Sequence, residues 1–289
     1  MEVRKFLNSI WNEFVYGDYI LFLVGGSILY FQIALLKLKT NLILFFLACL
    51  MARIIYFYNH LMEVQKDITT NPERARYILE IKRMKRSKIE FFLYCLFLLI
   101  TLFFLKKVEL LVFVLIIVMA GILYTLFLKS LTKKVLGFKN IYIAFMWAFS
   151  PQILIEVYYK IPIFSKIIII SFLFIFLRCF MNTIFFDLKD IESDKNEGLK
   201  TLPVILGKEK TFYFLHFINF ISFIPILFGV FKNILPFYSL SLFLFFFYSF
   251  YYLKAAEKEK SDIHFLSYIM ADGEYLLWGL LALIFKLFL

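Results

Sequence analysis

The stretch that decides the fold reads IFSKIIIISFLFIFLRCFMNTIFF (163–186) followed by DLKDIESDKNEGLKTLPVILG (187–207). The first part is an apolar run long enough to cross a bilayer as a helix, which takes about 20 residues. The second part carries Asp187, Asp190 and Asp194 at the spacing i, i+3, i+7. In a continuous helix this spacing places three carboxylates on one face.

Carboxylates at the end of an apolar run are costly and therefore favour a functional interpretation. Three on one face repel one another unless they share a cation. Mg²⁺ takes carboxylate oxygens and completes its octahedral shell with water and substrate phosphate. We therefore expect a magnesium site on a helix that ends at Gly198. A solvated helix end that binds no ion is the alternative.

Apolar runs of this kind recur along the whole chain. Hydrophobic residues make up 63% of its 289 residues, 40 of them are Phe, and the mean hydropathy is +0.84. One soluble core cannot bury so much apolar surface, and a lipid-exposed backbone satisfies its own hydrogen bonds by forming helices. We predict an all-α polytopic membrane protein, a single domain over 1–289 with about nine transmembrane helices. The predicted spans are 19–36, 40–58, 89–105, 108–128, 140–157, 163–186, 211–231, 234–253 and 271–289.

The basic residues are distributed unevenly between the loops. Of 32 Lys and Arg residues, 22 lie in alternate segments that share one side, 8 lie on the other side, and Arg53 and Arg178 lie within spans. The 22 belong to segments 1–18, 59–90, 129–140, 187–212 and 253–262. The positive-inside rule then predicts a cytoplasmic N-terminus. We also expect a multi-pass protein of the plasma membrane. Because the net charge of +11 reflects this asymmetry, it is no indication of nucleic-acid binding.

A second polar stretch follows the second predicted span, on the same side. Asn59, Glu63 and Asp67 have the spacing i, i+4, i+8, which again describes one helical face. The triplet Asn-Pro-Glu at 71–73 is typical of a new helix start, and Arg74 follows it. Taken alone, the segment also fits an ordinary basic loop beside a membrane.

Together, the two stretches resemble the motifs of the UbiA superfamily of intramembrane prenyltransferases. The second motif of that family, close to DxxDxxxD, is intact and is followed by Gly198 and by TLPVILG at 201–207. The first motif, close to NDxxDxxxD, is altered. Asn59 and Asp67 are kept, but His60 and Glu63 stand where Asp is usual. LYTLFLK at 123–129 and MADG at 270–273 are also similar to family segments.

The resemblance implies transmembrane helices around a central cavity, with cytoplasmic helical loops over the active site. It implies a Mg²⁺-dependent prenyltransferase that moves an isoprenyl group from a polyprenyl diphosphate, such as geranylgeranyl diphosphate, to a lipid or quinone precursor. The implied metal ligands are Asn59, Glu63, Asp67, Asp190 and Asp194. The implied diphosphate contacts are Arg74, Lys129 and Arg178, and the implied catalytic residues are Asp187, Tyr124 and Lys129.

Two other functions fit parts of the sequence. The altered first motif also fits a related, non-catalytic protein that binds polyprenyl lipids. A transporter would carry polar residues near the middle of the membrane, whereas both acidic stretches lie at one face. At His60, a change to Asp restores a carboxylate beside a cationic site, so the sequence alone predicts that this variant keeps or gains activity.

The loop charges predict that both acidic stretches face the cytoplasm. Single cysteines at Lys66 and Lys195, in a chain without its three native cysteines, should react with an impermeant thiol reagent only from the cytoplasmic side. A cysteine at Lys106 should react only from outside. Labelling of Lys66 and Lys195 from opposite sides would rule out a shared site for the two stretches.

Overall fold

The computed structural model describes residues 10–258 and 260–288, and these ranges contain helices and turns but no strand. The helices are α1 (Tyr19–Leu35), α2 (Leu42–Thr70), α3 (Pro72–Arg83), α4 (Arg86–Leu105), α5 (Val108–Leu126), α6 (Phe138–Tyr159), α7 (Lys166–Asp187), α8 (Ile191–Asn196), α9 (Leu202–Leu206), α10 (Lys208–Ile221), α11 (Ile224–Phe231), α12 (Leu244–Ala256), α13 (Ile263–Phe265) and α14 (Asp272–Phe288). Two 3₁₀ segments, Leu128–Lys133 and Phe237–Phe243, and a π-helical segment, Leu266–Ala271, lie between them.

Eight helical stretches of the described chain are long and apolar enough to cross a membrane. They are Leu42–Thr70, Arg86–Leu105, Val108–Leu126, Phe138–Tyr159, Lys166–Asp187, Lys208–Phe231, Phe237–Ala256 and Ile263–Lys286. The first predicted span, 19–36, corresponds to α1, which is apolar but has only 17 residues. The predicted all-α, polytopic fold is confirmed.

Helix α2 is longer than the sequence predicts. The predicted span ends at residue 58, whereas α2 continues to Thr70 and has 29 residues, which corresponds to about 43 Å. It ends where the backbone N–H of Asn71 bonds the carbonyl of Asp67 and Pro72 begins α3. The whole first motif is therefore part of one membrane helix.

The chain divides into two compact units. The first consists of Asn41–Leu126 and the described residues up to Gly26. In it, α2 packs against α3, α4 and α5. Phe57 and Val64 of α2 share a core with Tyr77, Ile78 and Ile81 of α3, which fixes α3 beside the first motif.

The second unit consists of Ser27–Thr40 and the described residues from Phe127 onward. Its longest helices, α6 and α7, pack along each other. Phe31, Phe174 and Trp278 form an aromatic core, with ring centroids 5.1 to 6.3 Å apart. Such pairs stabilise a fold beyond the area they bury.

Arg178 is part of this core. Its guanidinium is fully buried and bonds both carboxylate oxygens of Glu274 at 2.6 Å and Asn219 Oδ1 at 2.6 Å, and it also donates to Ser249. These contacts use the donors that a diphosphate would need. We therefore remove Arg178 from the predicted diphosphate contacts and assign it to the ion pair between α7 and α14.

The DxxDxxxD motif is not one continuous helix, so the predicted shared face is wrong. Helix α7 ends at Asp187, a turn follows, and α8 begins after Asp190. Gly198 ends α8 as predicted, with φ +73°, and its N–H bonds the carbonyl of Lys195. Glycine adopts this left-handed conformation without steric cost. The carboxylates are therefore placed by a turn between two helices.

The buried Arg178–Glu274 pair generates a prediction about stability. Arg178→Leu leaves the Glu274 carboxylate buried without its cation, and we expect the free energy of unfolding to fall by about 3–5 kcal/mol. The double variant Arg178→Leu/Glu274→Leu should recover much of that loss, because no unpaired charge remains. Thermal unfolding of the detergent-solubilised protein measures both effects. Equal loss in the single and double variants would contradict this account.

Candidate active site

The carboxylates of the second motif meet around one ammonium group. Lys139 Nζ, near the start of α6, lies 2.5 Å from Asp187 Oδ1 and 3.8 Å from Asp194 Oδ2. Asn140 donates a hydrogen bond of 2.8 Å to Asp187 Oδ2. Asp187 and Asp194 are buried, and Lys139 is partly exposed. The structure thus brings two of the three predicted carboxylates together.

Backbone hydrogen bonds hold the segments that carry this cluster. The N–H of Gly137 bonds the carbonyl of Lys200, and the N–H of Lys200 bonds the carbonyl of Thr132. The N–H of Leu199 bonds the carbonyl of Asp194. The chain before α6 is thereby attached to the chain after α8, which aligns Lys139 with the carboxylates.

Asp190 and the MADG segment lie beside the same helix end. Lys189 Nζ is 3.3 Å from Asp190 Oδ2 and also lies over the ring of Tyr268. Asn182 of α7 donates to Asp272 Oδ1 at 3.3 Å. Asp272 is buried, so the MADG segment adds another carboxylate next to α7.

The first motif is organised around Arg74. Its Nε and Nη2 bond the two oxygens of Asp67 at 2.8 and 2.5 Å. Its Nη1 lies 3.0 Å from His60 Nε2, and His60 Nδ1 lies 2.9 Å from Asp18 Oδ2. All four side chains are buried. A bidentate pair of this kind is among the stronger charged hydrogen bonds in proteins.

Asp18 also interacts with Arg53, whose guanidinium lies 3.5 Å away and over the rings of Tyr19, Phe57 and Tyr94. Burial raises the pKa of Asp18, but the contacts with His60 and Arg53 lower it by more and hold it below its usual value. Asp18 is therefore ionised at neutral pH.

The remaining predicted residues lie at different places. Asn59 Oδ1 accepts a bond of 3.0 Å from Thr125, so the end of α5 touches the first motif, and the neighbouring Tyr124 is buried. Glu63 is partly exposed on α2. Lys129 is partly exposed in the 3₁₀ segment Leu128–Lys133 of the second unit.

The sequence model of the UbiA prenyltransferase family matches residues 19–280. The chain belongs to the UbiA prenyltransferase family. The predicted enzyme class, a prenyltransferase, is thereby confirmed, and with its apolar helices the protein is an integral, multi-pass membrane protein. Among curated proteins, no sequence gives a significant match.

Solved structures share the fold of this UbiA-family chain at low identity. A UbiA homologue from Aeropyrum pernix K1 in its apo form has a TM-score of 0.68 at 11% identity, covering 94% of this chain and 98% of that one. A UbiA homologue from Archaeoglobus fulgidus bound to GPP and Mg²⁺ has 0.67 at 13%, covering 95% and 98%. A digeranylgeranylglyceryl phosphate synthase has 0.56 at 18%, covering 99% and 98%.

The two motifs of this UbiA-family enzyme differ in how well they fit a magnesium ion. Around Lys139, the second motif collects carboxylate oxygens, the ligands that Mg²⁺ prefers, and its other positions would be filled by water or phosphate. In the first motif, both oxygens of Asp67 bond Arg74, and Asn59 Oδ1 accepts from Thr125. Within the described residues, no group of three acidic, His or Cys side chains is assembled for a metal. The Asp67 carboxylate of the first motif is thus used by Arg74, whereas in the second motif one ammonium group serves two carboxylates.

Sequence reasoning missed Lys139, Asn140 and Asp18. Each is a polar residue directly next to an apolar run, at a predicted end of a span. That position is a usable signal, because a charge at the border of a membrane helix can reach the residues of neighbouring helix ends. The partners of these three residues are 42 to 48 positions away in the chain, so no local sequence pattern identifies them.

Lys139 generates a prediction about activity. Lys139→Gln removes the cation that Asp187 and Asp194 share, so the two carboxylates repel each other, and we expect prenyl transfer to fall at least about tenfold. The matched control is Lys134→Gln, an exposed residue of the same segment that should keep full activity. Initial rates of diphosphate release measure both. Equal activity of the two variants would contradict the assignment.

Proposed function

We propose that this protein is a Mg²⁺-dependent intramembrane prenyltransferase that transfers an isoprenyl group from a polyprenyl diphosphate to a lipid or quinone precursor. Family membership supports the reaction class. The homologue from Archaeoglobus fulgidus bound to GPP and Mg²⁺ supports the donor and the metal. We further propose that the enzyme lies in the plasma membrane with its N-terminus in the cytoplasm, in accordance with the loop charges.

The arrangement of Lys139 with the carboxylates of the second motif carries this proposal. A buried set of carboxylates that shares one partly exposed ammonium is arranged to accept a further cation from water. We propose that Asp190 and Asp194 hold the metal and that Asp187, fixed by Lys139 and Asn140, supports them. Bound Mg²⁺ would neutralise the negative charge that develops on the leaving diphosphate.

We propose basic residues of the chain as contacts of the donor diphosphate. Arg74 is fixed at the first motif by Asp67, and its planar guanidinium suits phosphate oxygens. Lys129 is the second proposed contact, as a point charge on a flexible stem. Tyr124 would flank the allylic cation through its ring. The loop charges predict that both motifs face the cytoplasm.

The acceptor is a lipid or a quinone precursor under this proposal. The digeranylgeranylglyceryl phosphate synthase among the related structures acts in membranes, which makes phosphorylated lipid acceptors part of the panel to test. Purified enzyme with geranylgeranyl diphosphate, Mg²⁺ and a panel of lipid and aromatic acceptors would identify the acceptor by mass spectrometry. Binding of the diphosphate without turnover of any acceptor would favour the non-catalytic lipid-binding alternative.

The proposed metal ligands generate the central prediction. Asp190→Asn and Asp194→Asn each remove one carboxylate charge from the proposed metal site, and we expect diphosphate release to fall at least about a hundredfold while the protein stays folded. Glu192→Gln, an exposed acid in the same segment, is the matched control and should stay active. EDTA should abolish turnover and added Mg²⁺ should restore it. Wild-type turnover in EDTA would exclude the proposed mechanism.

A further inference from the structure

A chain of buried hydrogen bonds connects the residue before α1 to the first motif. It runs from Asp18 Oδ2 to His60 Nδ1 at 2.9 Å, from His60 Nε2 to Arg74 Nη1 at 3.0 Å, and from Arg74 to both oxygens of Asp67. Asp18 and Asp67 are 2% exposed, and His60 and Arg74 are 6% and 8% exposed. Water therefore has little access to these bonds, and each group depends on its neighbour.

The donors of the Arg74 guanidinium decide which ring nitrogen of His60 accepts a hydrogen bond in this arrangement. A guanidinium has N–H donors and no acceptor, so the atom that faces Arg74 Nη1 must accept. His60 Nε2 accepts only if it carries no proton. The single ring proton is then on Nδ1, from where it donates to the carboxylate of Asp18. In a doubly protonated ring the second N–H, on Nε2, would point at the guanidinium and place two cations 3.0 Å apart.

We propose that Asp18 and His60 are positioning residues for Arg74. Asp18 fixes the neutral His60 tautomer with its proton on Nδ1, and the lone pair on Nε2 orients the Arg74 guanidinium beside Asp67. This inference rests on the proposed function, because it gives Arg74 the role of a diphosphate contact. It adds Asp18, which lies outside both motifs, to the residues on which binding of the donor diphosphate depends.

The same geometry reverses the expectation for His60→Asp. From the sequence, an added carboxylate at position 60 should help a cationic site. In the structure, that carboxylate would lie in a buried place next to Asp18, where like charges repel, and it could not donate to Asp18. We therefore expect His60→Asp to weaken diphosphate binding. His60→Gln should be milder, because its amide oxygen can still accept from Arg74.

The tautomer can be read without any substrate. The chain has three histidines, so ¹⁵N-histidine labelling gives three rings, and the His60→Gln spectrum assigns the His60 signals. For His60 we expect the Nδ1–H tautomer at neutral pH. A protonated ring, or a proton on Nε2, would overturn the proposal. Because this spectrum needs no turnover, it is independent of whether the proposed enzymatic function is correct.

Binding of inorganic pyrophosphate to the full-length protein tests the positioning role. We expect Arg74→Gln and Asp18→Leu each to weaken binding about tenfold or more, which is the scale of one charge-assisted hydrogen bond. Asp18→Asn should weaken it less than about threefold, because its amide oxygen still accepts from Nδ1–H. Both variants remove the charge of Asp18, but only the Asn variant keeps an acceptor for His60. Equal losses of pyrophosphate affinity would therefore overturn the proposal, because the charge of Asp18 would then act through Arg53.

A double-mutant cycle separates positioning from general stability. If Asp18 acts through His60, then Asp18→Leu should cost little further affinity in a chain that already carries His60→Leu. Additive losses would overturn the proposal. His216→Leu is the matched control, since His216 also bonds a carboxylate, Glu257, at 2.7 Å, and pyrophosphate affinity should not change there.

Retained pyrophosphate affinity in Arg74→Gln would overturn the proposed role of Asp18 and His60 in diphosphate binding. It would leave the metal site at Asp190 and Asp194 intact, because that site is measured separately by turnover and by its dependence on Mg²⁺. The two failures are therefore distinguishable.

Discussion

A carboxylate removed from water needs a cation beside it, because the interior of a membrane protein does not solvate its charge. This constraint organises both units of the chain. Arg178 pairs with Glu274 in the helical core, Arg74 with Asp67 at the first motif, and Lys139 with Asp187 at the second. Each pair joins two different helices. The buried charges of the two motifs therefore also fix the helices that carry them.

The kind of cation distinguishes the two motifs. At the first motif, a guanidinium binds both oxygens of Asp67 in a fixed planar geometry. At the second, a flexible lysine ammonium serves Asp187 and Asp194. The first motif therefore holds a fixed, bidentate positive charge, and the second holds an ammonium group shared by two carboxylates.

The altered residue of the first motif becomes understandable through its partners. Arg74 requires a hydrogen-bond acceptor from His60, and the carboxylate of Asp18 requires a donor. An imidazole with one proton, on Nδ1, provides both. Asp18 provides the carboxylate that position 60 lacks. His60, which departs from the family motif, is thus bonded to Asp18, 42 positions earlier in the chain.

The sequence by itself determined the all-helical membrane fold and the family, because length and hydropathy of a span are local properties and the DxxDxxxD motif is contiguous. It also located the end of α8 at Gly198, where only local backbone geometry is needed. The tertiary structure decided the break after Asp187, the burial of Arg178 against Glu274, and the partnership of Asp18, His60 and Arg74. These depend on contacts between distant helices, and residue spacing along one helix holds no information about which distant charge will lie beside it.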